Sequence, residues 1–559
     1  MSTRTAPPPA AAPTPEAVPT PEAASAPKPA QGPPPWSRTA PDGPWDALVI
    51  GSGMGGMTAA AMLAAAGKRV LVLEQHYVPG GFTHAFKRKG WSWDVGVHAV
   101  GEVTRHSLTG RLLDRLTQGR LRWASLGPVY DAFEFPGGFE IDFPDSPAQF
   151  RENLVAAFPR EGAGIDRYLA EIKSVSQAMR GYYLARTAPR GLRRVSDLLL
   201  ARRARAAFER RAADVIAGFT ADPRLQTVLT AQWGYYGATP SQASFAIQAL
   251  VARHFLHGGY YPVGGSAEIA RELLGAVARA GGWTRIVADV QELLLEGGRC
   301  RGVRLRSGEE VRAPIVVSAA GVLATATRLL PAEYRTSRWV TEVAALRPAP
   351  AHVCLYLGLE GDPRPAGASA ANRWFYETWS AEDEAWHVGG GGDALPEAPV
   401  LYTSFPSLKD PTHDPGPRNL HTAEVVTFVP WSAFEPWRDT RWRRRGDDYD
   451  AFKARLQAGL LAQLGRHMPG LLPLVKWAEL STPLSTDHFC RPVQGSIYGL
   501  APTPERFRTP WLRPRAEIPG LYFAGSEVAT CGVIGAMMGG VLAALAAAPA
   551  RSLHLLASS

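Results

Sequence analysis

The sequence predicts an α/β protein: a Rossmann-like dinucleotide-binding domain assembled from separate stretches of chain, with an α+β domain interleaved between them. Three observations predict it. A strand, a glycine turn, a helix and a second strand fit within residues 46–74. A helix followed by short apolar strands returns at 264–321. A last short strand, 521–525, precedes an uncharged glycine- and alanine-rich helix near the C-terminus.

Taken in order, residues 1–43 are rich in Pro, Ala, Thr and Ser, and such a stretch buries almost nothing. They are expected to form a disordered, partly polyproline-like tail outside the fold, and they lack the apolar run of a secretory signal. The first part of the dinucleotide domain spans 44–102. The run 46–50 (DALVI) reads as a buried strand, 57–66 as a helix stopped by Gly67, and 69–74 (RVLVLE) as the next strand. Residues 103–255 read as mostly helical and more polar. The second part of the dinucleotide domain is expected at 256–345, with a helix over 266–280 and strands running through 286–296, 303–306 and 315–319. Residues 346–510 carry many Trp and Pro and short β-like runs, as a substrate domain would. The dinucleotide domain closes with 511–559.

Composition narrows the function. The chain has 559 residues, 46% hydrophobic and 20% charged, enough to bury a large core. Four dispersed cysteines, with no CxxC pair, argue against a disulfide framework and a thiolate zinc site, and no metal site is expected. The formal charge is +9, and only eight of the 60 basic residues are Lys. Biased codon usage explains that arginine richness as well as a polyanionic partner does, and no nucleic-acid motif accompanies it. Nine arginines at 186–211 interleave with Leu192, Val195, Leu198, Leu199, Leu200 and Phe208. This segment is either a solvated helical hairpin or a surface for an anionic membrane. The uncharged stretch 529–549 is long enough to span a bilayer, but its glycines suit a helix packed on protein or cofactor better. A cytoplasmic protein, peripheral at a membrane, is the expectation.

The chemistry starts at Gly51-Ser52-Gly53-Met54-Gly55-Gly56. A GxGxxG turn between strand and helix serves dinucleotide binding: Gly51 permits the tight turn, Gly53 lets the backbone approach a pyrophosphate, and Gly56 lets the helix pack on the sheet. The helix N-terminus supplies free N–H groups and a positive dipole end. Glu74 stands where a carboxylate accepts ribose hydroxyls and repels a 2′-phosphate, which selects FAD or NAD over NADP. A second glycine pair, Gly80-Gly81, and the distant Gly525-Ser-Glu527 and Gly535-Ala536 select FAD, an extended cofactor needing contacts beyond its ADP half.

The chain resembles the phytoene desaturase, carotenoid isomerase and retinol saturase group of FAD-dependent oxidoreductases, nearest the retinol saturase and carotenoid isomerase branch. The likeness rests on GGFTHAF (80–86), WDVGVH (93–98), PSQASF (240–245), GYYPVGGS (259–266), SFPSLKDP (404–411), EVVTF (424–428) and 525–540. It implies a flavin domain of the two-dinucleotide-binding type, a domain with a tunnel for a lipophilic small molecule, and peripheral membrane association. It also implies cofactor contacts from Gly51, Ser52, Gly53, Gly55, Gly56, Glu74, Gln75, Gly80 and Gly81 on the ADP side, and from the backbone of Val290 at the adenine. Gly525 and Glu527 are implied near the ribityl-pyrophosphate, and Gly535 and Ala536 near the isoalloxazine. Glu527 departs from the usual Asp of the family. Phe82 replaces a basic residue found in many desaturases, which favours the saturase and isomerase side.

The expected activity is reduction, desaturation or isomerisation of C=C bonds in a carotenoid- or retinoid-like polyene by hydride exchange with the flavin. Saturation also needs a proton donor. His98 and Tyr261 are the leading candidates, with Tyr260, His488 and Tyr498 behind them. The alternatives are an amine-oxidase-like FAD oxidase on a non-polyene substrate and a flavin-bound lipid carrier without activity.

Overall fold

A computed structural model describes residues 32–389 and 395–557. Its first sheet is five-stranded and wholly parallel. The central strand β1 (Ala47–Ile50) pairs with β2 (Val70–Leu73) on one side and with Ile315–Ser318 on the other. Trp283–Arg285 and Leu521–Phe523 form the edges. Both faces of this sheet are covered, so β1 and β2 read as unbroken apolar runs without alternation. Ala47 and Val49 join one buried cluster, and Leu48 and Ile50 the cluster on the other face. Helix α1 (Met54–Ala65) starts three residues before its predicted beginning, because the extended backbone of Gly53 caps it and draws the glycines into its first turn. The helix α2 (Gly532–Ala547) crosses α1 in glycine-to-backbone contact: a Cβ at Gly540 would lie 2.3 Å from the Gly55 carbonyl oxygen. The uncharged stretch is thus a packed core helix, and none of the described helices is long and apolar enough to cross a membrane.

The second sheet has seven mixed strands, in the order 475–481, 351–360, 420–429, 400–404, 372–376, 129–135 and 139–144. Its last two strands are the hairpin Val129–Phe135 and Phe139–Pro144, from a region expected to be mostly helical. Asn372–Tyr376 pairs parallel with the first of them. The alternation of VYDAFEF and the turn at Gly137-Gly138, both with positive φ, are the local signal for this hairpin. One sheet face packs on the helix Asp447–His467 through Leu456, Leu460 and Leu464, a stripe of i, i+4 spacing. The other face looks toward the helix Gly162–Thr187, which buries Ile165, Tyr168, Ile172, Val175, Met179 and Tyr182.

Residues 1–31 of the expected tail lie outside the described residues. The expected boundary at 43 is too late: Ser37 bridges to Arg285, and Trp36 packs against the core beside the parallel sheet.

Candidate functional site

A cavity of about 1820 Å³ opens at the carboxyl ends of the parallel strands and runs on between the domains to the inner face of the mixed sheet. Open α/β sheets bind ligands at this end of their strands. Gly51, Gly53, Gly55, Glu74, Gln75, Gly81 and Val290 line its first part, joined by Gly525, Glu527, Gly535 and Ala536 from the far end of the chain. Ser52, Gly56 and Gly80 do not line it and work from behind. Glu74 accepts hydrogen bonds from Ser52 N (2.9 Å) and Ser52 Oγ (2.6 Å), and Gly80 N donates to the same hydroxyl oxygen at 2.9 Å. A single serine therefore ties the acid after β2 to both glycine turns. Gly56 is a packing residue, since a Cβ there would sit 2.1 Å from the Gly51 carbonyl oxygen. The Gln75 amide is held by the Phe489 carbonyl of the other domain.

This part of the cavity suits a long anionic cofactor. Cβ atoms added at Gly53, Gly525 or Gly532 would meet nothing within 4 Å, so three stretches of bare backbone face open space. The N-termini of α1 and α2 reach the same cavity, each with a positive dipole end and free N–H groups. Glu527 is turned away from this backbone. Its carboxylate accepts from Leu323 N at 3.0 Å and lies against Gly321 and Gly499, so 525–527 faces the cavity largely through its main chain.

The inner end of the cavity has the mixed sheet as its floor. Trp374, Val400, Tyr402, Val426 and Phe428 point into it from neighbouring strands, together with His352. Beyond this apolar floor lies a buried polar row set by strand register: Asp131 opposite Asn372, and Ser404 opposite Glu424. Lys409, also buried, enters the row from the side. Its amine donates to the His98 carbonyl oxygen (2.7 Å), to Ser404 Oγ (2.6 Å) and to Asn372. Asp131 accepts from Gln232 (2.9 Å), Asn372 (2.9 Å) and Tyr235 (2.7 Å).

The strand Trp91–Asp94 of the first domain closes over this row. Trp91 and Trp93 donate their indole N–H groups to the carbonyls of Leu359 and Leu357, each at 2.9 Å, which sets Asp94 beside Glu424. Asp94 N donates to Glu424 Oε1 at 2.9 Å. Burial raises the Asp94 carboxyl to about 6, with Glu424 adding to the shift, and burial raises Glu424 to about 8. Burial lowers Lys409 to about 7 and His98 to about 3, so His98 is a neutral imidazole.

Of the two leading proton-donor candidates, the structure brings only His98 to the cavity. Tyr261 is buried away from it: its hydroxyl donates to Asp94, and burial beside that carboxyl holds the phenol well above its usual value. Tyr260 and Tyr498 line the cavity, whereas His488 stacks on Trp442 outside it. Sequence reasoning gave no chemical role to Lys409, Glu424, Asp131 or Asn372. For the two acids the available signal was a carboxylate on the buried face of a strand, Asp131 in VYDAFEF and Glu424 in LHTAEVVTFV.

Comparison with known proteins bears on this site. Residues 54–548 match the family described as flavin containing amine oxidoreductase. The chain is 33% identical over 517 residues to the all-trans-retinol 13,14-reductase of Homo sapiens, covering 89% of this chain and 84% of that protein. It is 25% identical over 522 residues to the chloroplastic prolycopene isomerase of Arabidopsis thaliana, covering 89% and 82%. Both relatives fall in the branch that the motifs resemble. Among solved structures, the cyclohexylamine oxidase of Brevibacterium oxydans superposes with a TM-score of 0.57 at 17% identity, covering 91% of this chain and 99% of that one. It has the same fold.

Proposed function

The chain belongs to the family of flavin-containing amine oxidoreductases, and we propose that it uses FAD to reduce or isomerise C=C bonds of a lipophilic polyene. The observation that carries this reading is one continuous cavity, with a glycine-lined dinucleotide cradle at one end and an apolar, aromatic sheet floor at the other. Its relatives named as a retinol reductase and a prolycopene isomerase support the substrate class.

FAD, when bound, supplies a hydride donor and acceptor at N5. The protein's own part is positional. Gly51, Gly53, Gly81 and Gly525 present backbone to the cofactor, and the dipoles of α1 and α2 favour its negative charge. Trp374, Tyr402, Val426 and Phe428 hold a flat apolar chain and exclude water. His98, at the border between this floor and the buried polar row, is the group able to move a proton at its imidazole nitrogens.

The test is anaerobic. The photoreduced holoenzyme is mixed with retinol-like and carotenoid-like polyenes while the flavin spectrum and the extracted lipids are followed. The expected result is flavin reoxidation with a product heavier by two hydrogens, or an isomerised product of unchanged mass. No change in flavin or lipid with any polyene refutes the reading.

A membrane surface completes the proposal. The helix Arg193–Leu200 and the turn before it expose Leu192, Val195, Leu198 and Leu199, the last two 68% and 73% exposed. Several nearby arginines are spent on intramolecular pairs, Arg193 with Glu517 and Arg205 with Asp197. Arg194, Arg202 and Arg203 stay exposed. Leu184 continues the patch on the helix Gly162–Thr187, whose middle turns wall the cavity. An apolar ridge with an arginine rim fits an anionic lipid surface from which a polyene could enter.

A further inference from the structure

Three carboxylates and one amine are buried side by side at the inner end of the cavity: Asp94, Asp131, Glu424 and Lys409. If all were ionised, two negative charges would stand uncompensated in a buried site, and a proton held on one carboxyl halves that excess. The hydrogen bonds show where that proton belongs. Asp131 accepts from three donors, Gln232, Tyr235 and Asn372. Asp94 accepts from Tyr261 and from both the N–H and the hydroxyl of Ser266. Glu424 has a single committed donor, Asp94 N on Oε1. Its other oxygen, Oε2, lies 2.9 Å from His98 Nδ1, and neither of these two atoms has a hydrogen-bond partner among the described residues.

We propose that Glu424 stores a transferable proton at neutral pH and passes it through His98 to the polyene carbon that does not receive the hydride. Glu424 acts through another side chain and is a positioning residue; His98 is the group that faces the cavity. When the carboxylic acid turns its hydrogen onto Nδ1 across that 2.9 Å approach, the neutral imidazole carries its own hydrogen on Nε2. In the transfer that Nε2–H bond breaks, and the π electron pair of the C=C bond takes the proton to form a C–H bond. His98 Nδ1 accepts the Glu424 proton at the same time, leaving a carboxylate. FAD, when bound and reduced, would supply the hydride for the other carbon, so that the substrate gains two electrons and two hydrogens in all.

The surroundings suit this role. Asp94 faces Glu424 from the strand Trp91–Asp94, Lys409 from the helix Pro406–Lys409, and the neutral Cys354 and Tyr356 from the strand Ala351–Glu360. Burial keeps the proton in place, while Lys409 and the Asp94 N–H favour the carboxylate and so steady the group once the proton has left. The raised value of Glu424 agrees with the count of donors.

The inference rests on the polyene reading, and its test has two arms. Infrared difference spectra of the folded holoenzyme at pH 7, compared with Glu424→Gln, should show a protonated carboxyl band that shifts in D2O and is missing from the variant. Single-turnover reduction of a polyene should slow at least 100-fold in Glu424→Gln with little change in KM, recover in part in Glu424→Asp, and lose its alkaline limb in the pH profile. A wild-type spectrum without that band overturns the inference. So does a Glu424→Gln variant that matches the wild-type single-turnover rate. If no polyene reoxidises the wild-type flavin, the parent reading falls and takes the transfer step with it. If one does and the variant keeps pace, only this inference falls.

Discussion

Replacing Gly53 by Ala separates what this turn does for the fold from what it does for the cofactor. Gly53 has φ −65° and ψ 170°, which alanine adopts freely, and an added Cβ would meet nothing within 4 Å. Without cofactor the substitution should therefore cost nothing, and restricting the unfolded chain should contribute about 0.4–1 kcal/mol. The methyl does project into the cavity where the backbone is to approach a pyrophosphate. Carbon contacts have their optimum near ~3.5–4 Å, so a group seated on bare backbone is displaced by roughly 1 Å. Overpacking of that size costs about 1–3 kcal/mol, equivalent to roughly 5- to 150-fold weaker binding. Gly55→Ala should do the reverse. Its Cβ would lie 2.5 Å from Gly525 Cα and 2.9 Å from the Ala536 carbonyl oxygen, both main-chain atoms unable to step aside, so the cofactor-free protein itself should melt lower. Thermal melting of the cofactor-free protein and FAD titration by fluorescence quenching read the two effects separately. Gly53→Ala should melt within about 2 °C of wild type yet bind FAD at least fivefold more weakly. A Gly53→Ala protein that binds FAD like wild type, or that melts as low as Gly55→Ala, refutes the reasoning.

Tyr261→Phe removes one donor from the buried Asp94 and should destabilise the protein by about 1–3 kcal/mol, while turnover per bound flavin stays near wild type; a collapse of turnover at unchanged melting temperature would make Tyr261 part of the chemistry after all. His352 is buried, with its pKa lowered by burial to about 4. The unfolded chain's histidine takes up a proton below about 6.5, so between pH 4 and 6.5 the unfolded state binds more protons. Stability therefore falls as the pH drops through that window, by up to about 3 kcal/mol from this residue. Replacing His352 by Asn should flatten the pH dependence of the melting temperature there, and an unchanged slope would count against a neutral buried imidazole. The double substitution Leu198→Glu with Leu199→Glu should abolish co-sedimentation with anionic vesicles and leave the melting temperature unaltered; vesicle binding equal to wild type would remove the proposed lipid surface.

Much of the cofactor end was legible because it is written locally. A GxGxxG turn, an acid at the end of the next strand and glycines facing a helix are steric requirements of short segments, and they read the same in any chain that folds them. The tight crossing of the two glycine-bearing helices was foreshadowed by an uncharged stretch too rich in Gly and Ala for a bilayer span. The motif around 93–98 pointed to His98, which does face the cavity, but the motif around 259–266 pointed equally to Tyr261, which does not. Both are polar residues in apolar surroundings, and only the direction of the side chain tells them apart.

The sequence by itself determined the parallel sheet, the glycine cradle and the class of cofactor, since each follows from backbone sterics and hydrophobic runs within a few dozen residues. Tertiary structure alone decided the inner end of the cavity. Asp131, Asn372, Ser404 and Glu424 come from four strands spread over nearly 300 residues, and a shift of one residue in any of them would turn its polar group to the opposite face. Lys409 then arrives from a short helix and His98 from the loop after the strand Trp91–Asp94. Such a row depends on non-local register, which leaves no periodic trace along the chain.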